Sequence, residues 1–175
     1  MCPAAWGENR RIVMYILGIN SAYHEPSACL VRDGRILAAA EEERFNRIRH
    51  GKEANLTSPH ELPVESIRFC MQRAGIQPAD LDHVAFSFEP RLRLDHNVGI
   101  DRETTPGGAG TPEGEATFYE LLRTVPARLR ELLGEELRAE FHWLEHHACH
   151  ASSAFFISPF EEAAILSIDG IGEGS

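Results

Sequence analysis

Asp33-Gly34 stands between two apolar runs, residues 27–32 and 35–42, and no other pair in the chain constrains the fold as tightly. Asp-Gly tolerates the positive φ angles of a two-residue hairpin turn, so the flanking runs are predicted to pair antiparallel with a fixed register. A third run, residues 15–19, precedes them, and the three predict an antiparallel meander. Pro63 then suits the first turn of a helix whose Val64, Ile67, Met71 and Ala74 share one face before Gly75 ends it. Residues 82–88 read as the next strand and 95–115 as a polar, Gly-rich loop. Residues 116–133 read as a helix that Pro126 kinks or splits, 140–144 as a short strand and 147–156 as a third helix. The order β-β-β-α-β-α-β-α, followed by one further strand, predicts an α/β fold with a mixed sheet flanked by helices.

The further strand carries the chemistry. Ala163 to Ile168 is a short apolar run that reads as a buried strand. It ends at Asp169 and opens Gly170-Ile171-Gly172-Glu173-Gly174, whose glycines let backbone N–H groups turn toward an anion. Upstream, His146 and His150 are i and i+4, so on a helix they share one face and can grip one cation. Two ordinary helix histidines would show the same spacing; Asp169, a natural third ligand, favours the metal reading. Such an imidazole and carboxylate set suits iron, zinc, manganese or magnesium. His147 points about 100° away from His146 around the helix, and His142 precedes it, so both are weaker candidates. Glu173 is read as a phosphate or metal contact rather than a turn residue.

A net charge of −10 argues against a general binder of nucleic acid or anionic membrane, because phosphate backbones are held by clustered Lys and Arg. No stretch approaches the ~20 apolar residues of a membrane span. Cys2, Cys29, Cys70 and Cys149 are dispersed without a C-x-x-C pair, as expected of reduced thiols in a cytoplasmic protein. Residues 1–13 lack an apolar core of the secretory type and are expected to be a disordered leader. Of Glu41, Glu42 and Glu43, at least two are expected to be solvated.

Several segments recur together: Ile16-Leu17-Gly18-Ile19-Asn20, His24-Glu25-Pro26-Ser27-Ala28, Asp33-Gly34-Arg35-Ile36, Ala40-Glu41-Glu42-Glu43-Arg44-Phe45, and the block from His146 to Glu173. In this order and spacing the chain resembles the O-carbamoyltransferases of the nodulation, cephamycin and tobramycin type. The resemblance implies an actin-like ATPase lobe of ribonuclease-H-like fold over residues 14–158. Residues 159–175 would begin a second lobe, cut short here, with nucleotide in the cleft between lobes. It also implies that His24 is catalytic, as general base or as hydrogen-bond donor to the carbamoyl oxygen.

Asn20 faces the phosphates or makes the strand-end turn. Arg49 stands where the family commonly places a lysine against the carbamoyl-nucleotide, and Gly170 and Gly172 belong to the phosphate loop. His146, His150 and Asp169 would bind a divalent metal, iron in this branch. The implied partners are ATP, carbamoyl phosphate and a hydroxylated small-molecule acceptor, a sugar or natural product. A C-terminal carbamoyl-adenylate-forming domain is absent from this sequence, so the chain is expected to be inactive alone. Two alternatives stand beside this reading: a relative of the tRNA threonylcarbamoyl transferases, which also carry an H-x-x-x-H metal pair, and a non-enzymatic module binding metal or nucleotide.

Overall fold

The computed structural model describes residues 13–53, 56–97, 106–170 and 172–173. Apart from Val13, the expected leader lies outside the described residues. Five strands form one mixed sheet: β1 (Tyr15–Asn20), β2 (Ser27–Arg32), β3 (Arg35–Glu41), β4 (His83–Phe86) and β5 (Glu140–Trp143), in the order β3-β2-β1-β4-β5. The meander is present. β1 pairs antiparallel with β2 and β2 with β3, and Asp33 and Gly34 turn the hairpin with φ of +50° and +76°. β4 joins β1 in parallel, and β5 joins β4 in parallel. Six α-helices, α1 (Glu43–Asn46), α2 (Val64–Ala74), α3 (Pro90–Asn97), α4 (Pro112–Leu122), α5 (Val125–Leu133) and α6 (His146–Phe155), and a short 3-10 helix at Pro78–Asp80 complete the described elements.

Strand alternation sorts the sheet into two faces. Leu17, Ile19, Ala28, Leu30, Val84 and Phe86 point into a core completed by Ile67, Cys70 and Met71 of α2 and by Phe118, Leu122, Val125 and Leu129 of α4 and α5. Each large side chain buried there contributes about 1.5–3 kcal/mol relative to exposure. α2 ends at Gly75 in the left-handed conformation (φ +67°), as its sequence predicts. Its start is less local. Pro63 offers no capping side chain, and Glu42, buried at the end of β3, accepts the N–H groups of Glu65 (3.1 Å) and Ser66 (2.9 Å). Of the three glutamates, only Glu41 and Glu43 are therefore outside the core.

Two expectations need correction. The stretch 95–115 is not a single loop: α3 runs to Asn97 and α4 begins at Pro112. Thr111 caps α4 by accepting the Gly114 N–H at 3.1 Å, and Pro112 occupies the first turn, so Thr-Pro-Glu is a helix start rather than loop sequence. The helix expected over 116–133 is indeed split, at Arg123-Thr124, with Pro126 in the first turn of α5. Residues 163–169 do not form the buried strand: they join no ladder among the described residues, and Leu166 and Ile168 are 83% and 85% exposed. An apolar run becomes a strand only when a neighbour pairs with its N–H and C=O groups.

Candidate functional site

The site forms where β1, β4 and β5 reach their C-terminal ends. β5 passes through Leu144 into Glu145, whose carboxylate caps α6 by accepting the N–H groups of His147 (3.2 Å) and Ala148 (2.9 Å). His146 and His150 therefore stand one turn apart, with their Nε2 atoms 3.1 Å from each other. Asp169 Oδ2 lies 2.9 Å from His146 Nε2 and 3.1 Å from His150 Nε2. The three atoms converge as metal ligands do.

The donor chemistry fits a divalent cation. The Ser87 carbonyl lies 3.2 Å from His146 Nδ1, which fixes the tautomer with the proton on Nδ1 and leaves the Nε2 lone pair facing Asp169. Desolvation pushes the Asp169 carboxyl upward, but the Gly170 N–H, with hydrogen bonds from the two imidazoles when no cation takes their Nε2 atoms, outweighs it and holds the group below its usual value. An ion about 2.1 Å from three mutually cis ligands sets those ligands about 3 Å apart, and two imidazoles with one carboxylate are a common face of such octahedra. The spacings of 2.9, 3.1 and 3.1 Å match. His147 takes no part; its Nε2 is buried without a hydrogen-bond partner among the described residues. His142 lies on β5 against His83, apart from this cluster.

His24 belongs to the same cavity. Asn20, Ala22, Tyr23, His24 and Glu25 line one cavity of about 190 Å3 with His146, His150 and Asp169. His24 Nδ1 pairs with Glu25 Oε2, and the other oxygen of Glu25 meets His50 Nδ1 at 2.5 Å. A carboxylate on Nδ1 orients the imidazole and leaves Nε2 as the basic atom. Glu25 is held with φ +47°, and its N–H donates to the His50 carbonyl at 2.9 Å. Asn20 builds this loop. Its Nδ2 donates to the carbonyls of Glu25 (2.9 Å) and His24 (3.3 Å), while its Oδ1 accepts the Ser87 hydroxyl at 2.7 Å. Ser87 thus joins the His24 loop to His146.

The remaining expected residues are more dispersed. Gly170 gives its N–H to Asp169 Oδ1 at 2.6 Å, and Gly172 is buried beside Glu173. Glu173, 2% exposed, spends its carboxylate on backbone N–H groups: Glu89 at 2.8 Å and His146 at 2.9 and 3.0 Å. It is an anchor for this corner rather than the phosphate or metal contact read from sequence. Arg49 is exposed. Lys52 is buried instead, donates to the Ser58 carbonyl, and lines a neighbouring cavity of about 580 Å3 with Glu42, Glu61 and Pro26. Burial lowers its ammonium to about 8, with Glu61 opposing the shift.

Sequence reasoning passed over Glu25, Lys52 and Ser87. For Glu25 the adjacent histidine was a usable signal; for Lys52 and Ser87 nothing local distinguishes them from surface residues.

The sequence profile described as "Carbamoyltransferase N-terminus" matches residues 15–98 and 101–175. The chain is 36% identical over 168 residues to "Uncharacterized protein sll1178" of Synechocystis, covering 91% of this chain and 26% of that protein. It is 33% identical over 159 residues to "Nodulation protein NolNO" of Sinorhizobium fredii, covering 88% of this chain and 20% of that one. The chain therefore spans about a quarter or less of the length of these two relatives.

Proposed function

The chain belongs to the carbamoyltransferase family through the N-terminal region of that family, and from this premise we propose that it is the transfer part of an ATP-dependent O-carbamoyltransferase. One observation carries the reading: His24 and the convergent His146, His150 and Asp169, distant in sequence, line the same cavity. The meander followed by two parallel strands supports an actin-like lobe, since it is the element order that such a lobe requires. Residues beyond Ser158 are taken to lead into the second lobe. The cytoplasm, where ATP and carbamoyl phosphate are made, is the compartment this chemistry requires.

In the proposed reaction an acceptor hydroxyl oxygen attacks the carbamoyl carbon of carbamoyl-adenylate. The hydroxyl proton passes to His24 Nε2, the bond between the carbamoyl carbon and the phosphate oxygen breaks, and AMP leaves with the electron pair. Glu25 stabilises the imidazolium that results, as a carboxylate behind a general base does. His146, His150 and Asp169 would hold a divalent ion, which when bound supplies positive charge at the phosphate. A 190 Å3 cavity is below the ~300–1,000 Å3 of ordinary ligand sites, so it suits the carbamoyl and phosphate end of the donor rather than a whole nucleotide.

The acceptor is a hydroxylated small molecule, and the donor is made from ATP and carbamoyl phosphate by a separate carbamoyl-adenylate-forming domain. Gly170, Gly172 and Asn20 remain candidates for the phosphate end. For the cationic contact to the carbamoyl-nucleotide, burial favours Lys52 over Arg49.

The test uses a protein that carries this region together with the adenylate-forming domain. ATP, carbamoyl phosphate, ferrous or other divalent metal and an acceptor panel are supplied, and carbamoylated product is followed by mass spectrometry. His24→Gln should abolish transfer about 100-fold or more while leaving metal affinity intact. His146→Ala and His150→Ala should each remove the metal, and His147→Ala should not. Metal binding without any transfer would favour the binding-module reading.

A further inference from the structure

A second group of ligand atoms lies on the opposite face of the sheet from the core. β4 and β5 run parallel with His83 opposite Glu140 and Ala85 opposite His142. Val84 and Phe86 point into the core, so strand alternation puts His83, Glu140 and His142 together on the outer face. His83 Nδ1 is 3.0 Å from His142 Nε2, and Glu140 Oε2 lies 3.7 Å from the first and 3.9 Å from the second. The carboxylate is too far for a hydrogen bond to either ring, yet nearly equidistant from both. Three such atoms around one centre describe a shared ion better than they describe three pairwise bonds.

We propose that His83, Glu140 and His142 form a second metal site, distinct from the cavity of His24, that takes a zinc-like divalent ion. Four-coordinate zinc with bonds of ~2.0–2.1 Å sets its ligands about 3.3–3.4 Å apart. The separations of 3.0, 3.7 and 3.9 Å bracket and average close to that value, and the two to the carboxylate are wider than the 2.9–3.1 Å of the first cluster. Two imidazoles and one carboxylate with the fourth position open to water is a set that zinc, copper and nickel favour over magnesium or calcium. Both histidines are half-buried and the glutamate side chain is 70% exposed, so the site is held by the sheet and entered from solvent.

Its place in the fold suggests its work. β5 is an edge strand of four residues, and it leads directly into Glu145 and His146. An ion bridging His83 to Glu140 and His142 staples that edge to β4 and so steadies the start of α6. The site stands on its own geometry and not on the carbamoyl-transfer reading.

The experiment removes the first site in order to see the second. The full chain is purified metal-free as wild type, His146→Ala/His150→Ala, His83→Gln/His142→Gln, and the combination of all four changes; each is checked for folding by circular dichroism and titrated with zinc by calorimetry. Glutamine is chosen because it keeps size and polarity on an outer face. The expected result is that His146→Ala/His150→Ala retains about one equivalent of zinc and gains thermal stability from it, and that the quadruple variant loses both. Glu140→Gln in the His146→Ala/His150→Ala background should weaken zinc about tenfold or more. Cobalt in the same background should give the strong visible bands of four-coordinate geometry. If His146→Ala/His150→Ala binds no zinc, or the quadruple variant binds it as tightly as that background, the proposal is overturned. Failure of the first-site reading would appear separately, as loss of metal in His83→Gln/His142→Gln.

Discussion

The carboxylate of Glu173 accepts the backbone N–H of His146 from both oxygens, at 2.9 and 3.0 Å, and reaches the Glu89 N–H at 2.8 Å. A residue four positions beyond Asp169 thus fastens the segment that carries one candidate ligand to the helix start that carries another. The negative charge also lies at the positive end of α6. Glu173→Ala should leave two half-buried N–H groups without this acceptor and cost about 1–3 kcal/mol for each that water does not reach. Glu173→Gln should cost less. Urea unfolding measures the stability, and calorimetry should show divalent-metal affinity falling about 10- to 100-fold in Glu173→Ala, as when an outer partner of a ligand is lost. Unchanged metal affinity would mean that Asp169 is held in place without this anchor.

Arg93 and Glu115 form a buried bidentate pair, with Nε and Nη2 each 2.7 Å from a carboxylate oxygen. The guanidinium also lies 4.8 Å from the centre of the Phe118 ring and donates to the Tyr23 hydroxyl, one residue from His24. Arg93→Met should cost about 3–5 kcal/mol because it strands a buried carboxylate, whereas Arg93→Met with Glu115→Leu should recover a large part of that loss. Thermal unfolding of the two variants compares them. A double variant less stable than the single would show that the pair itself, not the stranded charge, holds this corner.

Gly114 has no room for a side chain: a Cβ there would lie 2.1 Å from the Gly108 carbonyl oxygen. That contact is backbone and cannot rotate away. Gly114→Ala should therefore destabilise by about 1–3 kcal/mol or more, and Gly170→Ala, where a Cβ meets nothing within 4 Å, should change stability little. Denaturant midpoints of the two variants give the comparison, and equal midpoints would contradict the close approach of the 107–108 turn to α4.

Lys52 gives the stability a pH dependence of definite sign. Burial lowers its ammonium to about 8 in the folded protein, against 10.5 for an ordinary lysine. Between these values the unfolded chain binds more protons at Lys52 than the folded chain does, so this residue makes stability rise with pH from about 8 to 10.5. Below that window its penalty is present in full, and above it the penalty is gone. Lys52→Met should be stabilised relative to wild type most at pH 7, with the difference shrinking toward pH 10.5. Melting temperatures across that range test it; a constant difference would show that Lys52 keeps its charge throughout.

Much of the frame was legible along the chain because it rests on short-range rules. Asp33-Gly34 fixed the hairpin through backbone sterics, Gly75 ended α2 through its left-handed conformation, and helical geometry brought His146 and His150 to one face. These depend on neighbours within about one turn. Even Asp169 could be named as their partner, although its strand could not: residues 163–169 have the composition of a strand but no paired neighbour among the described residues.

The tertiary structure decided which distant groups meet. Glu42, Glu115 and Glu173 have the local sequence of solvated acids, yet each is buried on N–H groups or an arginine from another part of the chain. Lys52 rather than Arg49 is inside, and His142 belongs with His83 rather than with His146. Periodicity determines which face of an element is apolar, and it does so without reference to any other element. The order of strands in the sheet then determines what stands opposite a polar group, and that order is set by the packing of faces far apart in sequence, so the partners of buried charges become visible only once the sheet is assembled.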